Sequence, residues 1–418
     1  MEDTGAETGG LPLDVERQVA SHPVTIQESA LRPGHPDFLD LPWHAPVEMW
    51  DGLSERIVRR PSGPSRHPVV FADYGGRVYA FKQSSRDAVV REYERLRSLE
   101  ALRLPVVTPV GYMHVRTPVH EAAVLITRYL DYALPYHHLF MQPDLERYRE
   151  HLLDALAGLL VQLHIAGVYW GDCSLSNTLF RRDAGALQAY LVDAETAEAH
   201  PHLAPGLREH DLEIMEENVY GALLDLTAMG ALPPGYAVDR VGAEIRRRYG
   251  RLWGEITREE VLSPHERYRI QERIRALNAL GFSVEEVELT SVAAGDRLRL
   301  RVFVADRNFH RDLLVRLTGV EAEEAQARQM MGEIQELKAT LSREENRSLP
   351  LSLAAQRWLA EIYHPIAARL RTLAGDGTPL PELYCQLLEH KWYLSEAAGR
   401  DVGHAAALDD YARRLTAK

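Results

Sequence analysis

Between Leu163 and Asp193 the chain changes character three times in quick succession. A long apolar segment, DLERYREHLLDALAGLLVQLHIAG (144–167), has helical periodicity and a stop at Gly167. A compact polar loop, YWGDCSLSN (169–177), comes next. A hairpin follows, TLFRR (178–182) against LQAYLVD (187–193), turning at Asp183, Ala184 and Gly185. Asp154, Gln162 and His164 interrupt the apolar helix, so it reads as a buried helix and not a membrane span. Helix, loop and hairpin in this order put Asp172 and Asn177 in the loop and Asp193 at the end of an apolar strand.

Upstream, the pattern is that of a small sheet. IVRR (57–60), PVVFADY (68–74) and RVYAFKQ (77–83) read as strands, the last two joined as a hairpin across Gly75 and Gly76. Residues 87–102 carry helical periodicity, with Val89, Tyr93, Leu96 and Leu99 along one side. VVTPVGYMHV (106–115) and AAVLITRYL (122–130) read as two more strands. Strands broken by a single helix, ahead of a long helical region, predict an α+β arrangement: a small antiparallel sheet lobe and a helical lobe. Helices dominate from Leu207, and residues 282–305 add a short β-hairpin to a mixed C-terminal region.

Phosphoryl transfer asks for a cation on the phosphates, positioned metal ligands and a group that receives the acceptor proton. Lys82, on the second strand of the first hairpin, can offer its ammonium to phosphate oxygens; a solvent-facing lysine is the plainer reading of that residue alone. Glu92 lies nearer the apolar stripe of the following helix than Glu94 does, so it is the better partner for Lys82. Asp172 and Asn177 are five residues apart, the spacing of an aspartate that handles a substrate proton and an asparagine that holds metal. Asp193 supplies a carboxylate where a second metal ligand is needed. Each segment taken singly could be an ordinary turn, but all of them stand in the right order on the right elements.

The segment LHxxGVxxGDxxxxNTLF, followed by LVDAET, resembles the catalytic and metal-binding loops of the protein-kinase-like superfamily. It is closest in style to lipopolysaccharide (Kdo/WaaP) kinases and to small-molecule phosphotransferases of the aminoglycoside and choline type. The chain as a whole is similar to a bacterial family in which such a lobe is joined to a C-terminal domain of unknown function. The resemblance implies a two-lobed kinase-like fold that uses ATP and Mg²⁺. In it Lys82 would bind phosphates, Glu92 would pair with Lys82, Asp172 would be catalytic, and Asn177 and Asp193 would hold magnesium. Gly63 and Arg66, in PSGPSRH (61–67), stand where a phosphate-covering loop is expected, although an exposed turn is the plainer reading. Trp170 replaces the usual His or Arg, Ala194-Glu195 replaces Phe-Gly, and no Ala-Pro-Glu follows, so a peptide-docking activation segment is not expected. The implied acceptor is a hydroxyl on a small molecule or glycan. The alternatives are a pseudokinase-like nucleotide-binding scaffold and nucleotidyl transfer from the same fold.

The expected domains are a flexible N-terminus (1–35), a kinase-like domain (36–255, with lobes 36–130 and 131–255) and a mixed helical C-terminal domain (256–418). Net charge of −13 argues against nucleic acid as the main partner. Two cysteines, Cys173 and Cys385, give no disulfide framework, and residues 1–10 lack a signal-peptide pattern, so a cytoplasmic location is expected. Several local features read as structural. Residues 210–226 should pack one face with an acidic face in solvent, 321–345 should be an exposed charge-paired helix, and Glu195 a helix N-terminal acid. Trp392 and Tyr393 read as helix packing, with a protein partner for the C-terminal region as the alternative.

Overall fold

The computed structural model describes residues 23–60, 67–233, 235–266, 268–292, 297–373 and 378–416. The chain divides into two compact units. The first contains the described residues up to Ala101, Val106–Asp131 and Val192–Glu195; the second contains Leu102–Pro105, Tyr132–Leu191 and the described residues from Thr196 onward.

The first unit is built on one antiparallel sheet. Its strands are β1 (Thr25–Leu31), β2 (Ile57–Val58), β3 (Val69–Tyr74), β4 (Arg77–Ser84), β5 (Pro109–Arg116) and β6 (Glu121–Arg128), in the order β1-β5-β6-β4-β3-β2. One helix, α1 (Arg86–Ala101), lies between β4 and β5 in the chain. Side chains alternate faces along β4. Phe81 is fully buried in an aromatic cluster with Phe38, Trp43 and Trp50, its ring 5.3 Å from Phe38 and 5.6 Å from Trp50. Its neighbour Lys82 must therefore leave by the other face, the one α1 takes up. α1 buries Val89, Glu92, Tyr93, Leu96 and Leu99, a stripe at helical spacing, while Glu94 is exposed.

The expected flexible N-terminus does not extend to residue 35. Thr25–Leu31 form an edge strand paired along β5. Its sequence, TIQESAL, is only half apolar because one face is open, which is why pattern alone passed over it.

The second unit begins with β7 (Leu134–Pro135) and α2 (Tyr136–Met141). The apolar segment expected as one helix is a 3₁₀ turn (Pro143–Tyr148) leading into α3 (Arg149–Ile165). α3 is buried almost all round from Leu152 to His164, as a central helix should be. After it come β8 (Val168–Tyr169), the hairpin β9 (Thr178–Asp183) and β10 (Ala186–Leu191), and β11 (Glu198–Ala199), which pairs with β8. Two long helices, α4 (Pro205–Ala228) and α5 (Val238–Thr257), complete this part.

The C-terminal region opens with a three-stranded sheet: β12 (Glu260–Leu262), β13 (Val284–Val292) and β14 (Arg297–Val304), with β14 central and α6 (Tyr268–Ala279) between β12 and β13 in the chain. The rest is helical: α7 (Phe309–Thr318), α8 (Glu324–Glu344), α9 (Leu351–Arg357), α10 (His364–Leu373), α11 (Leu380–Ala398) and α12 (Gly403–Thr416). α8 is not the exposed helix expected. Ala327, Met330, Met331 and Ile334 are at most 1% exposed and form the middle of a core with Trp358, Leu370 and Tyr384. The charged i,i+4 pattern describes only the opposite face of this helix. Trp392 and Tyr393 do not pack as expected either; both are more than half exposed on α11. Among the described residues no helix is long and apolar enough to cross a membrane.

Gly111 ties the edge strand to the sheet. A Cβ there would fall on the Ala30 carbonyl oxygen and crowd Leu31. Gly111→Ala should therefore part β1 from β5 and cost about 1–3 kcal/mol, the usual penalty of overpacking. Hydrogen exchange should show residues 25–31 losing protection while β4 and β6 keep theirs. Unchanged exchange in β1 would contradict the contact.

Candidate functional site

Lys82, Glu92 and Asp193 meet in the first unit. Lys82 Nζ donates to Glu92 Oε1 and Oε2 at 3.1 and 3.0 Å and to Asp193 Oδ2 at 2.6 Å. The Glu92 side chain is 2% exposed, Lys82 15% and Asp193 28%, so the cluster opens on the Asp193 side. Burial pulls the Lys82 ammonium down, but the two carboxylates outweigh it and hold it above its ordinary range. Burial, with the charge of Asp193, pushes Glu92 from an ordinary 4.5 up to about 7 against the pull of Lys82. One ammonium thus serves two carboxylates. Glu195 is in a turn and not at a helix start; its backbone N–H donates to Asp193 Oδ1 at 3.0 Å, which fixes that carboxylate from behind.

Asp172 and Asn177 meet in the second unit. Asn177 Nδ2 donates to Asp172 Oδ2 at 2.8 Å and to the Asp172 carbonyl at 3.2 Å. Asp172 Oδ1 accepts from Asn218 Nδ2 on α4 at 3.1 Å, and the same amide reaches the Cys173 carbonyl at 3.2 Å. Asp172 is exposed and held by amides on both oxygens. Cys173 is fully buried and its thiol is pushed well up by burial, with Asp211 adding to the effect, so it behaves as a small filler and not as a reactive thiolate.

The loop is hung from Asp211, which has no solvent exposure. Asp211 accepts the backbone N–H of Trp170 at 2.7 Å and of Gly171 at 2.8 Å, and His164 Nε2 lies 3.2 Å away. His164 Nδ1 meets Tyr249 Oη at 2.9 Å. Trp170, where a His or Arg is usual, is buried, and its backbone N–H ties the loop to Asp211.

Asp211 and Asn218 escaped the sequence reading, which placed the acidic residues of this helix in solvent. A signal was there. Asp211, Met215, Asn218 and Ala222 fall on one helical stripe, so two polar residues interrupt an apolar face. Polar side chains on a buried stripe need partners inside the protein. Gly63 and Arg66 lie outside the described residues.

Magnesium fits the oxygen donors present. The Asn177 amide turns its nitrogen to Asp172, leaving the oxygen as the end suited to a hard cation, and the Asp193 carboxylate is an oxygen donor of the same hard kind. Among the described residues no group of three or more His, Cys, Asp or Glu side chains is placed to hold a metal by itself.

The raised Glu92 has a consequence for stability. The unfolded chain releases this proton near 4.5 and the folded chain keeps it to about 7, so the folded state binds more protons in between. Its contribution to stability must fall as pH rises across that window and level off above it. In Glu92→Gln the melting temperature should gain on wild type from pH 4.5 to 7 and hold a constant difference beyond. A difference independent of pH would show that Glu92 has no raised pKa.

Residues 77–228 match the model of the lipopolysaccharide kinase (Kdo/WaaP) family, and residues 251–416 match a domain of unknown function (DUF4032). No curated protein matches the sequence. A solved structure of WaaP in complex with acyl carrier protein aligns with 18% identity and a TM-score of 0.35, over 60% of this chain and 94% of that one. The chain thus joins a kinase-like N-terminal domain, similar to the Kdo/WaaP family, to a C-terminal domain of unknown function.

Proposed function

We propose that this protein is an ATP- and Mg²⁺-dependent phosphotransferase that acts on a hydroxyl of a small molecule or glycan. The observation that carries the reading is Lys82 held between Glu92 and Asp193. A structural ion pair needs no second carboxylate. A phosphate-binding ammonium beside a metal-binding carboxylate does.

In this reading Glu92, being buried, fixes the position of Lys82 Nζ, and the ammonium exchanges Asp193 for phosphate oxygens when nucleotide binds. Asn177 and Asp193 would hold magnesium, whose charge would offset that of the phosphates. Asp172, oriented by Asn177 and Asn218, accepts the proton of the acceptor hydroxyl as its oxygen bonds to the γ-phosphorus. The bond from that phosphorus to the bridging oxygen breaks, and ADP leaves. The family matches at 77–228 and 251–416 support a division of the chain near residue 255, with the kinase-like domain at 36–255 and the C-terminal domain at 256–418. They also support a glycan as one acceptor class, since the matched family is named for lipopolysaccharide kinases.

Purified protein with ATP and Mg²⁺ should release ADP slowly, and Asp172→Ala and Asp193→Ala should each lower that rate by about 10²–10⁴. Release of pyrophosphate in place of ADP would turn the reading to nucleotidyl transfer. Nucleotide binding without turnover, insensitive to Asp193→Ala, would turn it to a nucleotide-binding scaffold.

A further inference from the structure

The hairpin β9–β10 joins two parts of the proposed site. Asn177 immediately precedes β9, and Asp193 follows β10 by two residues. A two-stranded hairpin is marginally stable alone and takes its position from what packs against it. Here the C-terminal region holds it along most of its length.

At the tip, Asp183 is buried. Its carboxylate accepts the backbone N–H groups of Ala325 and Gln326 at 3.0 and 2.8 Å, so a turn residue of the hairpin caps the first turn of α8. Ala184 sits at φ 50°, a conformation that costs a residue with a Cβ, and its N–H donates at 2.8 Å to Glu382 of α11, itself fully buried. Gln326 Nε2 completes this end with bonds to the Arg182 carbonyl at 3.0 Å and Glu382 Oε2 at 2.9 Å.

Further along, Glu323 engages both strands. It accepts from Tyr190 Oη at 2.7 Å and pairs with Arg181 at 2.8 Å. Tyr190 stands opposite Leu179, one register position from the Thr178–Leu191 pair that ends the hairpin beside Asn177. The docking thus runs from the tip to the end that carries the loop.

We propose that the C-terminal domain braces the phosphotransfer loops, with Asp183, Tyr190 and Glu323 as positioning residues that act through the hairpin on Asn177 and Asp172. Apolar contacts alone would let the hairpin slide on α8; hydrogen bonds at these distances at both tip and base do not. The proposal rests on the phosphotransferase reading for what the loops do, but the bracing itself is measurable without turnover.

The experiment uses the full chain. Tyr190→Phe removes a single hydroxyl, Asp183→Ala removes the acceptor of the Ala325 and Gln326 N–H groups, and Leu370→Ala, in the C-terminal core, serves as a general destabiliser without a bond to the hairpin. Hydrogen exchange is read at Asn177 and Thr178, whose amides bond to Ser174 and Leu175 and to neither altered side chain. Exchange there should speed up roughly tenfold in Tyr190→Phe and Asp183→Ala, the loss expected when a bond to a charged group is removed. Leu370→Ala should lower the melting temperature without that local change. In parallel, kcat for ADP release should fall and half-saturating Mg²⁺ should rise severalfold in Tyr190→Phe, with the KM for ATP within about twofold of wild type. Unchanged exchange at Asn177 and Thr178, or an equal change in Leu370→Ala, overturns the brace. Absence of ADP release by wild type overturns the phosphotransferase reading instead, and the exchange data still decide the brace.

Discussion

A carboxyl group with no access to water is tolerated only where the protein supplies the hydrogen bonds that water would have made. Asp211 is such a group, and the loop carrying Asp172 is shaped around it. Its two oxygens take the N–H groups of Trp170 and Gly171, and Gly171 is at φ 78°, so the chain reverses at the point where it is held. Asp172 comes next and has to point away from the anchor. His164 links the same carboxyl to the last turn of α3 and, through Tyr249, to α5. With Trp170 in place of the usual His or Arg before Gly171, the loop is still tied to Asp211 through the backbone N–H of that residue.

Much of this was legible in the sequence because it is written in local pattern. The alternation in RVYAFKQ places Lys82 opposite Phe81, the stripe on α1 selects Glu92 over Glu94, and Asp183-Ala184-Gly185 announces a turn. Gly167 marks the end of α3, with φ of 79°. What escaped was set by partners far away in the chain. Asp211 is 41 residues from Trp170, and β1 is recognisable as a strand only once β5 lies beside it. α8 carried both a charged and an apolar stripe, and only the surrounding helices decide which one faces inward. Asp183 is the clearest case. As a turn residue it would bond within its own hairpin, yet it caps a helix more than a hundred residues later.

The charges are arranged by a common logic. In the first unit one ammonium serves two carboxylates, and the more buried of them, Glu92, bears the cost as a raised pKa. Asp193, which is more open, keeps the shorter bond to Lys82. The buried carboxylate fixes the lysine, and in the proposed reaction the open one would exchange it for a metal ion. An ordinary stabilising ion pair would gain nothing from this asymmetry, since exposed pairs contribute little and a buried pair is best left with matched charges.

The same reasoning explains why the C-terminal domain meets the hairpin through polar groups. Burying Asp183, Glu323 and Glu382 is expensive; Asp183 is pushed up to about 7 by burial and by Glu323 nearby. If adhesion were the only requirement, apolar side chains of similar volume would serve better. Each of these carboxyls instead addresses a specific backbone or hydroxyl group: Asp183 the start of α8, Glu382 the strained Ala184, Glu323 the Tyr190 hydroxyl. A one-residue slip of the hairpin would strand the Asp183 carboxylate, the Ala184 N–H and the Tyr190 hydroxyl, at about 1–3 kcal/mol each. That penalty, and not the attraction itself, is what fixes the register of the strand that starts beside Asn177.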